Sequence, residues 1–318
     1  MNIEDLDLEK LLQPLKELEK CCICPHECGA NRFSDKLGFC KSRSDFNISS
    51  ICIHHGEEPP ISGSKGICNV FFTNCNMQCS YCQNYQISEN RSERWMESRP
   101  LIRVLTEIIE ILHQGINILG FVSPGHFIPQ MKVIITALHK LDYYPTIVYN
   151  SNGYDKVEEL KKMEGLVDVY LPDMKYSNKL LGQEVSGVKN YPQIAQAAIY
   201  EMYRQKGSIL HVNEEGYAEG GLIIRHLVLP GQVQNSKDVL RWIAEELSTN
   251  ISLSLMSQYY PTIRVCNDLN LGRTLKINEY EEVVDYFYEL GLHKGWVQSL
   301  DSQENYRPDF DQVDHPFE

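Results

Sequence analysis

The stretch TNCNMQCSYCQN, residues 73–84, carries three cysteines spaced C-x3-C-x2-C and directly follows Val70-Phe71-Phe72, which predicts a strand. Three thiolates so close together in a loop can converge on one face of an iron–sulfur cube. A [4Fe–4S] cluster has four irons, so three protein ligands leave one iron open to a substrate or cofactor, like the open position on a catalytic zinc. The spacing therefore predicts a cluster bound by Cys75, Cys79 and Cys82. A structural zinc site or unconnected buried thiols are the alternatives.

Outward from this loop, the chain alternates between predicted strands and helices from about residue 67. Strands are predicted at 70–72, 118–122, 145–149, 167–171, 222–229 and 251–256. Helices are predicted at 101–112, 128–140, 156–163, 192–206, 236–247 and 278–290. Such alternation predicts an α/β fold with a parallel sheet and right-handed crossovers. The length of the units leaves open whether the sheet is doubly wound or closes into a barrel.

The residues after each predicted strand are candidates for a site, because ligands bind at the carboxyl ends of parallel strands. The cysteine loop follows the first strand. The other strands are followed by Ser123-Pro124-Gly125-His126, Asn150-Ser151-Asn152-Gly153, Pro172-Asp173-Met174-Lys175, Pro230-Gly231-Gln232 and Ser257-Gln258-Tyr259-Tyr260. Loops are commonly polar, but that alone does not explain three cysteines in the first.

The chain is rich in cysteine near its N-terminus: ten of its eleven cysteines lie in residues 21–82. The N-terminus has neither the basic start nor the apolar run of a secretory signal, so we expect the cytoplasm. In that reducing compartment clustered cysteines bind metal more often than they form disulfides. A second cysteine set, spaced C-x2-C-x3-C-x11-C, comprises Cys21, Cys24, Cys28 and Cys40.

This second set suits either a structural zinc ion or an auxiliary iron–sulfur cluster. Residues 21–66 are rich in Cys, Gly and Pro with little periodicity, and we expect a loop-dominated segment in which metal binding offsets the lack of a core. Cys22 leaves the first ligand ambiguous. His54-His55 with Glu57-Glu58 suggests either a two-histidine carboxylate site or, more plainly, a polar loop beside the mouth of the fold.

Composition excludes several functional classes. The chain has 318 residues and a net charge of −13, which argues against nucleic-acid binding. The sequence contains no stretch of 18 uninterrupted apolar residues, so it predicts no membrane span.

The predicted organisation is a short helix over 1–20 within an N-terminal cysteine-rich segment, 1–66, then a catalytic core, 67–300, and a C-terminal tail, 301–318.

The motif CNMQCSYC, residues 75–82, resembles the cluster motif of the radical S-adenosylmethionine enzymes, including the aromatic residue before the last cysteine. Other stretches look like those of pyruvate formate-lyase activating enzymes, and the chain as a whole is similar to a poorly characterised branch of their homologues over roughly residues 21–300. The stretches are LPDMKYSNKLLGQEVSGVKNY, IIRHLVLPG and SLMSQYYP. The resemblance implies a partial (β/α)6 barrel of the radical SAM type with a small N-terminal cysteine-rich extension.

The resemblance also implies site residues. Cys75, Cys79 and Cys82 would bind the cluster, and the methionyl amine and carboxylate of S-adenosylmethionine (SAM) would chelate the fourth iron. Tyr81 would cover the cluster. Lys175, in the motif that includes Asp173, would reach the methionyl carboxylate as a point charge. Arg225 matches a strand-five arginine near the cofactor.

This chain departs from the family pattern at three of the strand ends. A Gly-Gly-Glu motif that binds the methionyl amine is replaced by Ser123-Pro124-Gly125-His126, so backbone carbonyls and His126 would take that contact. An Asp-Thr-Asn-Gly motif whose Asp helps hold a cation is replaced by Asn150-Ser151-Asn152-Gly153, which weakens the expectation of a cation. Tyr259 stands where the activating enzyme has a histidine near the adenosine.

The resemblance implies an enzyme that reductively cleaves SAM to a 5′-deoxyadenosyl radical for hydrogen abstraction. The nearest family installs a glycyl radical on a partner enzyme. The alternatives are radical modification of another peptide or of a small molecule, and a non-catalytic iron–sulfur or zinc protein on the same scaffold. The expected partners are SAM, an electron donor such as flavodoxin or ferredoxin, and a protein or peptide substrate, with no nucleic acid and no membrane.

Overall fold

A curved sheet of mainly parallel strands positions the loops of the candidate site. The structure is a computed structural model that describes residues 2–90, 98–304, 307–312 and 316–317. In chain order the strands are β1 (Ile48–His54), β2 (Ile67–Phe72), β3 (Ile118–Val122), β4 (Thr146–Ser151), β5 (Val169–Pro172), β6 (His211–Val212), β7 (Ala218–Leu227), β8 (Ser252–Met256) and β9 (Gly295–Val297).

The strands follow the order β1-β2-β3-β4-β5-β7-β8-β9, with β6 paired to β7. Strands β2 to β5, β7, β8 and β9 run parallel to one another, whereas β1 is antiparallel to β2 and β6 is antiparallel to β7. His54 in the edge strand β1 and Trp296 in the opposite edge strand β9 line the same cavity, which shows that the sheet curls on itself. The fold is therefore α/β with a partial barrel, as the sequence and the resemblance predict.

Helices cover the outside of the barrel. They are α1 (Leu8–Leu11), α2 (Pro59–Ser62), α3 (Tyr85–Ser88), α4 (Leu101–Leu112), α5 (Ile128–Lys140), α6 (Val157–Lys161), α7 (Lys179–Ser186), α8 (Tyr191–Lys206), α9 (Val233–Trp242) and α10 (Ile277–Glu289). Helix α4 shows the principle: Leu101, Val104, Leu105 and Ile108 form one buried stripe at helical spacing. None of the described helices is both long and apolar enough to cross a bilayer.

Every predicted strand has a counterpart in the sheet, but several elements lie where none is predicted. Strand β1 lies inside the segment expected to be loop-dominated, because its sequence ISSICIH mixes buried serines with apolar residues and shows neither alternation nor an apolar run. Helix α7 lies between the strand predicted at 167–171 and the helix predicted at 192–206, where no element is predicted. Strands β6 and β9 have only 2 and 3 residues, too few for a periodic signal.

The helix predicted over residues 1–20 is wrong as a single element. The structure has a 3-10 turn at Ile3–Asp5, then α1, then a 3-10 helix at Gln13–Lys20. Pro14 lies at the start of the last piece, where its missing N–H breaks an α-helical ladder. Leu11, Leu15 and Leu18 are nevertheless buried, so the apolar pattern is used for packing.

Candidate active site

The three cysteines of the C-x3-C-x2-C loop lie at the carboxyl end of β2, beside one cavity at the mouth of the barrel. Neighbouring elements hold the loop by its backbone. Gln78 N and Ser80 N donate to the carbonyls of Ser186 and Val185 at 3.0 and 2.8 Å, which ties the loop to the end of α7. The Thr262 hydroxyl donates to the Ser80 carbonyl at 2.8 Å.

Most of the residues expected to bind cofactor line this same cavity. They are Tyr81, Ser123, Asn150, Asn152, Asp173, Lys175, Arg225 and Tyr259, together with Cys75, Cys79 and Cys82. They come from the ends of six successive parallel strands or the loops beyond them, although they span 185 residues of sequence from Cys75 to Tyr259. Parallel pairing brings these loops to one edge, so the topology assembles the site.

The thiols of this loop lie in an environment that disfavours free thiolates. Burial raises the pKa of Cys75, and the neighbouring Cys79 raises it further. Burial and Cys79 also raise the pKa of Cys82. Buried thiols of this kind ionise only when a bound cation compensates the charge. Within the described residues, no three His, Cys, Asp or Glu side chains are arranged to hold a single metal ion.

A buried ion-pair network lies across the cavity and is centred on Asp173. Lys175 Nζ lies 2.5 Å from Asp173 Oδ2, and Arg225 Nε lies 2.9 Å from Asp173 Oδ1. Burial on its own would raise the pKa of Asp173, but Arg225 and Lys175 together outweigh it and lower that pKa. Burial would lower the pKa of Lys175, but Asp173 outweighs it and raises that pKa. All three groups are therefore charged at neutral pH.

Glu57 extends this network, although the sequence assigned it only to a candidate two-histidine carboxylate site or to a polar loop beside the mouth of the fold, not to the cofactor site. Its Oε2 accepts from Arg225 Nη1 at 3.2 Å, and its Oε1 accepts from Asn69 Nδ2 at 3.0 Å and Asn150 Nδ2 at 3.1 Å. It lines the cavity although it precedes β2 in sequence and belongs to the connection between β1 and β2. The only signal was the pair Glu57-Glu58 beside two histidines, which by itself does not point into the barrel.

The loop after β4 is fixed to the loop after β5 by a close approach. Gly153 has a φ of +79°, and a Cβ at this position would lie 2.3 Å from the carbonyl oxygen of Asp173, so only glycine fits. The Tyr191 hydroxyl lies 2.9 Å from the carbonyl oxygens of both Asn152 and Asp173. This packing fixes Asp173 relative to Asn152, which contacts the cysteine loop.

Some residues expected at the cofactor are absent from the described lining of this cavity, namely Pro124, Gly125, His126 and Ser151. His126 lies inside the protein, where Arg32 Nη1 donates to its carbonyl at 2.5 Å. Burial, with the charge of Arg32, lowers the pKa of His126 to about 3. The Ser151 hydroxyl donates to Asp155 and accepts from Gly153 N at 2.9 Å, so it supports the loop.

The second cysteine set lies close together in the N-terminal segment. Burial raises the pKa of Cys24 to about 12, and Cys40, Cys21 and Cys28 each add to that increase. Cys21 and Ala30 form an antiparallel bridge that closes the loop. Cys21, Cys24 and Cys40 are buried and Cys28 is exposed.

The N-terminal cysteine-rich segment touches the C-x3-C-x2-C loop directly. His26 Nε2 donates to the carbonyl of Asn76 at 2.8 Å, and its ring stacks on Phe39 with 3.9 Å between centroids. Lys156 Nζ donates to the carbonyl of Cys22 at 3.2 Å. The N-terminal cysteine-rich segment thus contacts the C-x3-C-x2-C loop through His26.

One family model matches the part of the chain that contains most of the residues lining the cavity. The model described as the radical SAM superfamily matches residues 69–243, more than half of the chain. An uncharacterized protein from Methanocaldococcus jannaschii is 29% identical over 291 residues, which are 89% of this chain and 78% of that protein.

Solved structures with low sequence identity also align. Streptococcus suis SuiB bound to the precursor peptide SuiA aligns with a TM-score of 0.45 and 15% identity, over 73% of this chain and 48% of that chain. The FeFe-hydrogenase maturase HydG from Carboxydothermus hydrogenoformans aligns with a TM-score of 0.45 and 14% identity, over 97% and 69%. The chain spans about half the length of SuiB.

Proposed function

The chain belongs to the radical SAM superfamily, and from that premise we propose that it is an enzyme that binds a [4Fe–4S] cluster and SAM in the cysteine-lined cavity. When bound together, these groups supply a 5′-deoxyadenosyl radical that abstracts hydrogen from a substrate. The observation that carries the proposal is that three cysteines and a buried set of charged residues line one cavity at the carboxyl edge of the sheet.

The donor set fits a cluster. Cys75, Cys79 and Cys82 supply soft thiolate ligands, which iron–sulfur clusters require. All three thiols line the same cavity. Three ligands also leave room for a cofactor on the remaining iron.

The charged residues fit the amino-acid end of SAM. Lys175 provides a cation for the methionyl carboxylate, and Asp173 keeps that cation charged and oriented. Glu57 brings a second carboxylate to the cavity. Its negative charge takes the place of the glutamate of the Gly-Gly-Glu motif, which the loop after β3 lacks. Arg225 connects the two carboxylates and holds them in a fixed relation.

Aromatic side chains exclude water from the same region. Tyr81, Tyr176 and Tyr191 are buried; Tyr81 and Tyr176 are hydrogen-bonded to each other, and the Tyr191 hydroxyl contacts the carbonyls of Asn152 and Asp173. Exclusion of water protects a reactive radical from quenching. The Tyr81 ring also lies 5.8 Å from the Tyr259 ring, so the two form one side of the cavity.

Anaerobic reconstitution with iron and sulfide tests this function. The chain reduced with dithionite is expected to convert SAM to 5′-deoxyadenosine and methionine, measured by chromatography. Cys79→Ala is expected to abolish that product and to reduce bound iron. Cys266→Ala, which removes an exposed cysteine beyond β8, is the matched control and is expected to retain both. An intact cluster without cleavage would exclude the enzyme.

The finer assignment is that the chain acts on a partner, as glycyl-radical activating enzymes do; the support is the resemblance of the 171–191 and 223–231 stretches. In the cell, flavodoxin or ferredoxin would supply the electron. Incubation with a candidate glycyl-radical enzyme is expected to give a doublet in its EPR spectrum. Transfer of label from a deuterated peptide or small molecule into 5′-deoxyadenosine, without that doublet, would instead indicate the alternative substrate classes.

The N-terminal set supports a second metal site with a structural or electron-relay role. Cys21 and not Cys22 is the proposed first ligand, since Cys21 is buried like Cys24 and Cys40, whereas Cys22 is partly exposed and its carbonyl accepts from Lys156. Metal analysis of a variant that lacks Cys75, Cys79 and Cys82 separates the possibilities. Iron with sulfide indicates a cluster, zinc indicates a structural ion, and the absence of both removes the site.

A further inference from the structure

Each cysteine of the C-x3-C-x2-C loop has a side-chain hydrogen-bond donor of its own. The pairs are Asn152 Nδ2 to Cys75 Sγ at 3.5 Å, Ser186 Oγ to Cys79 Sγ at 3.0 Å and Ser88 Oγ to Cys82 Sγ at 3.2 Å. The donors come from three different elements: the loop after β4, the end of α7 and the end of α3. Three separate parts of the chain thus aim a donor at one set of sulfurs.

The donor to Cys79 is backed by a longer chain of hydroxyl groups. Tyr81 OH lies 2.6 Å from Tyr176 OH, and Tyr176 OH lies 2.6 Å from Ser186 Oγ. All three hydroxyl groups are buried. A tyrosine hydroxyl ordinarily ionises near pH 10, so both tyrosines keep their protons at neutral pH.

The direction of the hydrogen bonds that link these hydroxyl groups to Cys79 follows from counting protons. A Cys79 thiolate bound to iron has no proton and can only accept, so the single proton of Ser186 must be donated to it. Ser186 then accepts from Tyr176, and Tyr176 accepts from Tyr81. Aligned donors polarise one another in a region of low dielectric, so the last bond to sulfur is stronger than an isolated one.

We propose that Ser186, Ser88 and Asn152 set the reduction potential of the cluster, with the Tyr81–Tyr176–Ser186 chain as the strongest contributor. The inference rests on the proposed function, because it assumes that the three cysteines bind the cluster. These residues act on the cluster through its cysteine ligands and are positioning residues. The assignment adds α7 to the site, an element that contributes no residue to the expected ligand set.

The physical reason is the charge that reduction adds. The cluster takes up one electron, supplied by dithionite in the experiment, and no bond to carbon or hydrogen changes. The extra negative charge is shared with the sulfurs, so donors that point at them stabilise the reduced form more than the oxidised form. Removal of such a donor is therefore expected to make the cluster harder to reduce.

Ser186→Ala is the direct test, with the potential of the reconstituted cluster measured by titration with dithionite and EPR detection of the reduced form. Loss of one hydrogen bond is expected to lower the ratio of reduced to oxidised cluster at least about threefold at a fixed solution potential, a shift to more negative potential of about 30 mV at 59 mV per tenfold. Iron and sulfide content are measured on the same sample.

Tyr176→Phe tests the chain without touching the cysteine donor, since it removes only the hydroxyl that supports Ser186. A smaller shift in the same direction is expected. Ser236→Ala is the matched control, because Ser236 is equally buried but its hydroxyl bonds to His226 Nε2 at 2.8 Å. The reduction potential of the cluster in this variant is expected to match that in the unmodified protein.

Equal potentials in the unmodified chain, Ser186→Ala and Tyr176→Phe, with full iron and sulfide content, would overturn this inference and leave the proposed function intact. Shifts as large in Ser236→Ala would overturn it as well, because they would arise from general loosening. Failure of the unmodified chain to take up any cluster would instead overturn the proposed function and this inference together.

Discussion

Arg225 Nη1 lies 3.2 Å from Glu57 Oε2, although 168 residues separate them in the chain. Arg225 projects from β7, and Glu57 comes from the connection before β2, near the open edge of the barrel. The same guanidinium donates to Asn150 Oδ1 at 2.6 Å and to Asp173 Oδ1 at 2.9 Å. One arginine therefore ties the N-terminal segment to two strand-end loops of the site.

Glu57→Gln is expected to weaken both the fold and cofactor binding. The substitution removes a buried negative charge that pairs with Arg225, and loss of one partner of a buried ion pair costs about 3–5 kcal/mol. Because Asp173 still compensates the guanidinium, the free energy of unfolding is expected to fall by only about 1–3 kcal/mol. Urea denaturation measures this cost, and equilibrium dialysis with reconstituted protein is expected to show weaker SAM binding. Glu214→Gln, at an exposed position, is the control.

Asp173→Asn is expected to weaken SAM binding more than Lys175→Met does. The carboxylate of Asp173 pairs with two buried cations, Lys175 and Arg225, so its loss removes an ion-pair partner from both. Lys175→Met, by contrast, removes a single cation. Loss of Lys175 is expected to raise the dissociation constant of SAM about tenfold, which corresponds to roughly 1.4 kcal/mol. If Lys175→Met binds SAM as tightly as the unmodified chain, Lys175 does not contact the methionyl carboxylate.

Acid is expected to destabilise the fold between about pH 6.5 and pH 4 because of three buried histidines. Burial lowers the pKa of His54 to about 4, of His126 to about 3 and of His226 to about 4. These folded values lie below the unfolded value of 6.5, so the unfolded chain binds more protons in this window and stability falls as pH falls. Urea midpoints at a series of pH values measure the effect.

The histidine contribution has a specific control. His226→Asn removes one of the three groups, so the slope of unfolding free energy against pH below 6.5 is expected to decrease. The overall stability of that variant falls as well, since His226 Nδ1 donates to the Met174 carbonyl at 2.7 Å. An unchanged slope would mean that His226 keeps its usual pKa in the folded chain.

Gly153→Ala is expected to destabilise the fold more than Gly115→Ala. Both glycines have positive φ, +79° and +84°, so both variants incur the same conformational strain of about 1 kcal/mol. A Cβ at Gly115 meets nothing within 4 Å, whereas a Cβ at Gly153 meets the Asp173 carbonyl oxygen at 2.3 Å. The difference between the two unfolding free energies isolates the close approach; equal losses would show that the loops separate at no cost.

Much of the fold was predictable because its signals are local. The cysteine spacing lies in one loop, and α4, predicted at 101–112, begins and ends at those residues because its apolar stripe repeats at helical spacing. Six of the seven parallel strands in the described residues, all but β9, could be predicted because they are short apolar runs separated by helices. Their shared edge followed from the rule that parallel strands carry their ligands at the carboxyl end.

Local periodicity says nothing about which distant side chain enters a cavity. The sequence by itself determined the C-x3-C-x2-C loop, the α/β alternation and the residues that end each strand, since each of these is encoded within a few neighbouring positions. Only the tertiary structure decided that Glu57 reaches Arg225, that Ser186 reaches Cys79 and that His126 is buried where Arg32 donates to its carbonyl. Those relations depend on the curl of the sheet and on long-range packing, which bring together groups that no spacing in the chain connects.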